Sequence, residues 1–152
     1  MQDVAFAALV HGVYVVTTKA GDRVNGMTAA WVSQVSLKPL LVMVSIAPPR
    51  YTHELIKESG VFAVNVLTEA QVDLGKRFGF KSGRKVDKFA GLAWTAAATG
   101  APILPAAYAY LDCHVVRTYA AGDHTLFVGE VKEAKILHPQ ARPLVFKKSD
   151  FF

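Results

Sequence analysis

What most limits the fold of this chain is its punctuation. Short β-rich runs recur, and each stops at a turn signal or a breaker. GVYVVTT (12–18) ends before Gly21-Asp22, a run over 26–36 ends before Lys38-Pro39, and a run over 40–47 ends at Pro48-Pro49. GVFAVNVL, YAYLDCHVVRTY and HTLFVGEVKEAKIL follow, the last two joined across Ala121-Gly122-Asp123, and PLVFKK closes the chain as a last short strand. A further short strand is expected at 92–95. Helical spacing predicts a short helix within 2–10, with Val4, Phe6 and Ala8 turned inward. A second is expected at YTHELIKES (51–59), capped by Thr52, with Leu55 and Ile56 on its inner face. A third, TEAQVDLGKRFGF, takes Thr68 as cap, with Asp73 early and Lys76 and Arg77 late, as the helix dipole favours. Six or seven mostly antiparallel strands with a few short helices predict a mainly β fold, a closed barrel with helical insertions, spanning 1–152 as one domain. The regular strand–helix alternation of a doubly wound sheet is missing.

Composition excludes several classes. The longest uncharged run, Phe89 to Leu111, is broken by Gly91, Gly100, Pro102 and Pro105, so no stretch suits a membrane-spanning helix. Asp3 stands where a signal peptide carries Lys or Arg, which makes a cytoplasmic location the expectation. A lone Cys113 rules out an internal disulfide and reads as a small buried strand residue. Hydrophobic residues make up 52% of the chain and charged ones 19%, a balance that predicts apolar surface covered in a homo-oligomer. The net charge of +5 favours an anionic partner, and Lys76, Arg77, Lys81, Arg84, Lys85 and Lys88 gather it in one segment. Nucleic acid is a poor candidate for that partner: Trp31, Trp94 and most phenylalanines sit among apolar neighbours, apart from the basic cluster.

No nucleophile–base set, metal pair, P-loop or GxGxxG is visible, and the five histidines are scattered. His114, alternating with Asp112, reads as a satisfied structural histidine. Cofactor chemistry needs no such constellation, since the protein then supplies cradle, orientation and electrostatics. NGMTAAWVSQVS looks like a cradle. Its small residues leave the backbone of Thr28, Ala29, Ala30, Trp31, Val32 and Ser33 open to a flat ring with hydrogen-bonding edges. The same residues also suit a closely packed barrel strand. One strand later, Arg50, the Thr52 hydroxyl and a helix N-terminus offer a place for a phosphate, or an ordinary helix start beside a surface arginine.

GVYVVTT, NGMTAAWVSQVSLKPLLVMVSI, RYTHELI, FAVNVL, KVDKFAGL, GAPIL and GDHTLFVGEV, in that order and spacing, resemble the flavin reductase-like family from about residue 8 to 147. The resemblance implies the FMN-binding split barrel: a homodimer of six-stranded antiparallel Greek-key barrels, with flavin near the subunit interface. It implies that Thr28 to Ser33 lie along the isoalloxazine ring and that Ser45, Ile46 and Ala47 continue that wall. Arg50, Thr52 and His53 fall in the segment that holds the ribityl phosphate, Lys85 in a basic loop that can approach it, and His124 near the nicotinamide face. Many relatives carry serine where Trp31 and Arg50 stand. The implied activity is hydride transfer from NADH or NADPH to FMN or FAD, with reduced flavin or electrons passed to a monooxygenase or redox protein. The alternative is an FMN-binding electron carrier that does not react with nicotinamide.

Overall fold

The computed structural model describes residues 2–152. Seven strands form one sheet in the order β2-β1-β5-β8-β9-β4-β3, and every neighbouring pair is antiparallel. In chain order these are β1 (Tyr14–Ala20), β2 (Arg23–Ala29), β3 (Val32–Ser36), β4 (Leu41–Ile46), β5 (Val61–Val66), β8 (Ala109–Ala121) and β9 (His124–Ile136). A separate small ladder joins β6 (Thr95–Ala96) to β7 (Pro102–Ile103), three residues beyond the start of the strand expected at 92–95. The helices are α1 (Gln2–Phe6), α2 (Tyr51–Ser59), α3 (Val72–Gly79) and α4 (Lys148–Phe151). Among the described residues no helix is long and apolar enough to cross a membrane.

The run read as one strand over 26–36 is two, and they lie at opposite edges of the sheet. Only Ala30 and Trp31 separate β2 from β3. In a flat sheet, six strand spacings of about 4.8 Å would hold those edges about 29 Å apart. The three peptide links from Ala29 to Val32 reach only about 10 Å. The sheet therefore curls enough to bring the end of β2 beside the start of β3 at Ala30–Trp31. At that seam the Val32 N–H donates to the Ala30 carbonyl (3.1 Å) and the Ser45 N–H to the Trp31 carbonyl (3.0 Å).

Alternation along β1 divides the interior. Val16 faces a core inside the curl, with Val44, Ile46, Phe62, Val64, Cys113 and Phe127. Val15 faces a second core outside it, with Leu67, Phe78, Phe89, Leu104 and Phe151. Cys113 is buried as expected, and desolvation, with Asp112 adding to it, pushes its thiol up to about 12, which leaves it inert. Two irregularities in the β8–β9 register break the alternation expected of Asp112 and His114: Asp112 is buried and accepts from the Thr99 amide (2.9 Å), while His114 faces solvent.

Several local expectations are corrected. Val4 and Phe6 are 77% and 68% exposed, not turned inward. Neither α2 nor α3 takes a threonine cap: Arg50 and Gln71 hold the N-cap positions, Thr52 is buried in the first turn of α2, and Thr68 precedes α3. PLVFKK makes only isolated bridges, Gly12 to Val145 and Thr68 to Pro143, because Pro143 has no N–H to extend a ladder.

Asn65 ties the 99–107 loop to the sheet. Its Nδ2 donates to the carbonyls of Val15 (3.2 Å) and Pro102 (3.3 Å), and its Oδ1 accepts from the Leu104 amide (2.9 Å). Asn65 is fully buried, and the Pro102 carbonyl also accepts from Thr17 Oγ1 (2.6 Å), so Asn65→Ala chiefly strips the Leu104 amide of its partner and should cost about 1–3 kcal/mol, read as a lower urea midpoint.

Candidate functional site

The seam places small side chains where three hollows converge. All three are lined by Thr28 and Arg50. The first, about 300 Å³, runs between β2, the start of α2 and the 80–83 loop, and its lining includes Asn25, Tyr51, Thr52, Lys81, Gly83 and Lys88. The second, about 270 Å³, is walled by Ala29, Ala30, Trp31, Ser45, Ala47 and His124. The third, about 240 Å³, shares Ala29 and Ala30 with the second and adds Gly75, Phe80, Phe146, Phe151 and Phe152. The wall exists because Thr28, Ala29 and Ala30 leave the seam uncovered by side chains. Thr28 is held in place by its Oγ1, which donates to the Gly75 carbonyl.

The first hollow is cationic, with Arg50, Lys81 and Lys88 in its lining and no acidic residue. Pro48 and Pro49 end β4 and turn the chain into α2, whose N-terminus no side chain caps. Its first-turn N–H groups are thus left for a partner outside the helix. Asn25 Nδ2 donates to Thr52 Oγ1 (2.9 Å), so the threonine hydroxyl keeps its own proton for another acceptor. Arg84 straps the far rim, with its guanidinium 5.0 Å over the Tyr51 ring and Nη1 donating to the Pro49 carbonyl at 2.9 Å. Gly83 is needed there, since a Cβ at that position would lie 2.1 Å from Asn25 Oδ1.

Lys88 forms the floor. Its Nζ donates to the carbonyls of Gly26 and Phe78, each at 3.0 Å, and the residue is only 6% exposed. Desolvation, with the Arg50 charge second, lowers its pKa from 10.5 to about 8.

At the other end His124 Nδ1 bonds Asp123 Oδ1 (2.7 Å), and that bond holds the aspartate below the usual carboxylate range. The His124 ring lies 4.8 Å from Trp31, tilted by 49°. Trp31 is 51% exposed rather than set among apolar neighbours, and Trp94 packs near Phe89 in the outer core.

Of the residues singled out from sequence, the structure gathers Thr28, Ala29, Ala30, Trp31, Ser45, Ala47, Arg50, Thr52 and His124 around these hollows. It does not gather the rest. Val32 packs toward the inner core and Ser33 is exposed beyond the seam. Ile46 is buried in the inner core. His53 turns to β9, with Nε2 2.8 Å from Thr125 Oγ1 and its ring edge-on to Phe127, and burial lowers its pKa. Lys85 is exposed in a neighbouring depression. Sequence reasoning missed Asn25, Phe80 and Lys88. Lys88 stood in the basic cluster, but nothing distinguished it from its neighbours there. Among the described residues no three His, Cys, Asp or Glu side chains could hold a metal ion.

The sequence matches the flavin reductase like domain over residues 6–152. It is 38% identical to the high molecular weight rubredoxin of Moorella thermoacetica over 96% of this chain, which spans 64% of that protein's length. It is 36% identical to the flavin-dependent monooxygenase reductase subunit HsaB of Mycobacterium tuberculosis, covering 92% of this chain and 74% of HsaB. The structure superposes on that of the NADH:FAD oxidoreductase SgcE6 of Streptomyces globisporus with a TM-score of 0.88 and 33% identity, over 96% of this chain and 87% of the other.

The free ammonium of Lys88 is harder to hold in the folded chain than in the unfolded one. The unfolded lysine keeps its proton to about 10.5, while the folded one releases it near 8. Between those values the unfolded state binds more protons, so stability rises with pH and is flat below about 8. Relative to Lys88→Met, the wild type should gain stability between pH 7 and pH 10, measured as the difference in urea midpoints.

Proposed function

The chain belongs to the flavin reductase-like family, and from that premise we propose that it binds FMN, with FAD the other candidate, and passes hydride to it from NADH or NADPH. One observation carries the reading: the uncovered seam at Thr28–Ala30 adjoins a cationic hollow that contains no acid, and Arg50 lines both. A planar ring needs the first and a phosphate needs the second, and the residues present fit both needs. Flavin, when bound, supplies the two-electron acceptor chemistry.

In this reading Ala29, Ala30, Ser45 and Ala47 give the ring a flat wall and main-chain hydrogen-bonding groups. Arg50, Thr52 and the uncapped start of α2 orient the phosphate. Trp31 and His124 form the rim from which nicotinamide enters, and Asp123 fixes the His124 tautomer. No side chain is asked to move a proton. The rate comes from holding two rings in contact.

Reduced flavin or electrons then pass to a monooxygenase or redox protein. The likeness to HsaB supports the first acceptor and the likeness to the rubredoxin the second. The whole of 1–152 acts as one domain in the cytoplasm and pairs as a homodimer. Val35, Leu37, Leu40, Val116 and Tyr119, all about half or more exposed on β3, the turn after it and β8, support the pairing. Sedimentation should give twice the 16.5 kDa of the chain.

The decisive test is the visible spectrum of the protein with FMN under nitrogen. Prompt bleaching on addition of NADH or NADPH is the expected result. A band that stays yellow with both donors but bleaches with dithionite would favour the electron-carrier reading instead. Ala30→Phe fills the wall shared by two hollows and should weaken FMN binding more than about tenfold, with the far-ultraviolet circular dichroism unchanged.

A further inference from the structure

We propose that the face built by the end of α3 and by α4 is the docking surface for an acidic one-electron carrier protein, which draws electrons from the flavin site at the third hollow. The inference rests on the flavin reading above and gives that site a separate exit. Phe151 lies against Gly75, where a Cβ would stand 3.0 Å from its ring, and so seats α4 on α3. Beside this contact Phe80 is 54% exposed and Phe152 83%, with ring centroids 6.2 Å apart. Two exposed rings side by side form an apolar patch, the mark of a surface that meets a partner. Lysines bracket it. Lys76 lies one helical turn before Phe80, whose N–H donates to its carbonyl (3.1 Å), and Lys81 follows Phe80. Lys148 stands in the same relation to Phe152 (2.9 Å), with Lys147 before it. None of the four forms an ion pair among the described residues, and Asp73 and Asp150 are the only acids on the two helices.

The position of the patch supplies its use. Phe80 and Phe152 line the third hollow, which shares Ala29 and Ala30 with the second. The wall at Ala29 and Ala30 is therefore reached from two mouths, one at Trp31 and His124 and one at the two phenylalanines. Hydride entry at the first leaves the second for electron exit. Each NADH gives up one hydride, two ferric centres take one electron each and become ferrous, and one proton is released. Protein partners meet through an apolar centre with a polar rim, and electron-transfer contacts are among the smallest. The rim here is positive, so the partner's surface is negative. A membrane surface fits less well, because α4 has four residues and offers no helical face long enough to lie in a bilayer interface.

The test uses an acidic rubredoxin, an iron protein that carries one electron, and a variant combining Lys76→Glu with Lys148→Glu, neither of which lines the three hollows. Binding of oxidised rubredoxin is measured first, by titration calorimetry with no flavin or nicotinamide present. At low salt the wild type should bind it at least about tenfold tighter than the variant does, and about 0.5 M salt should remove the difference. With NADH and FMN added, the variant's KM for rubredoxin should rise about tenfold. Its reduction of FMN by NADH, and of cytochrome c, a basic acceptor, should not fall. Equal rubredoxin affinity and KM in the two proteins overturn the proposal, since diffusing reduced flavin needs no docking face. If the variant does not fold, wild-type binding that is no weaker in about 0.5 M salt overturns it. If NADH fails to reduce FMN, the flavin reading falls, and the calorimetric titration still decides the docking face. Lysine-dependent binding to phosphatidylserine vesicles with none to rubredoxin overturns the proposal in favour of a membrane surface.

Discussion

The two-residue crossing at Ala30–Trp31 governs the rest of this molecule. It joins the outermost strands of a seven-stranded sheet, so the sheet has no flat alternative. Curling creates the enclosed face that Val44, Ile46, Phe62 and Phe127 fill, and hydrophobic burial there holds the curl in place. Thr28, Ala29 and Ala30 leave bare main chain where both edges converge, and the hollows open at that point. Fold and site thus share one cause.

The cationic hollow has a different origin. Nothing in the sheet requires a lysine beneath β2, and its burial beside Arg50 is unfavourable enough to lower its pKa to about 8. The uncapped start of α2 points the same way, because serine, threonine or aspartate at the N-cap would stabilise the helix and Arg50 does not. Local rules broken together at one place are characteristic of a site shaped by what it binds. The loop that closes over it is fastened elsewhere, through Arg84 on Tyr51 and Pro49.

Much of the sheet was legible because turn chemistry is local. Pro48-Pro49, Gly21 and Gly122 mark their boundaries by conformation alone, and the two glycines do take positive φ (63° and 59°). The split of the 26–36 run was not legible. Its residues are equally good in one long strand or two, and only pairing of its first half with β1 and its second half with β4 decides between them. The site shows the same divide. Thr28 to Ala30 and Arg50 announce themselves by residue type and sequence distance. Lys88 does not: what sets it apart from Lys85 is enclosure by Phe78 and Gly26, a property of the tertiary structure. Thr52 lines the hollow, but its hydroxyl accepts from Asn25 and does not cap the helix as expected.

Trp31 closes the argument about the seam. A large aromatic ring half exposed at the junction of two sheet edges leaves apolar surface for something to lie against, and the His124 ring stands 4.8 Å from it. The pair lines the second hollow and not the first, whose lining holds Lys81 and Lys88. The site is thus polarised along its length: charge and enclosure at Lys88, bare main chain in the middle, and an accessible aromatic rim at Trp31. A ligand with an anionic tail and a flat head would be held by its tail, supported along its length and left open at its reactive end. That arrangement suits a site whose chemistry belongs to the ligand and whose next reactant arrives from outside.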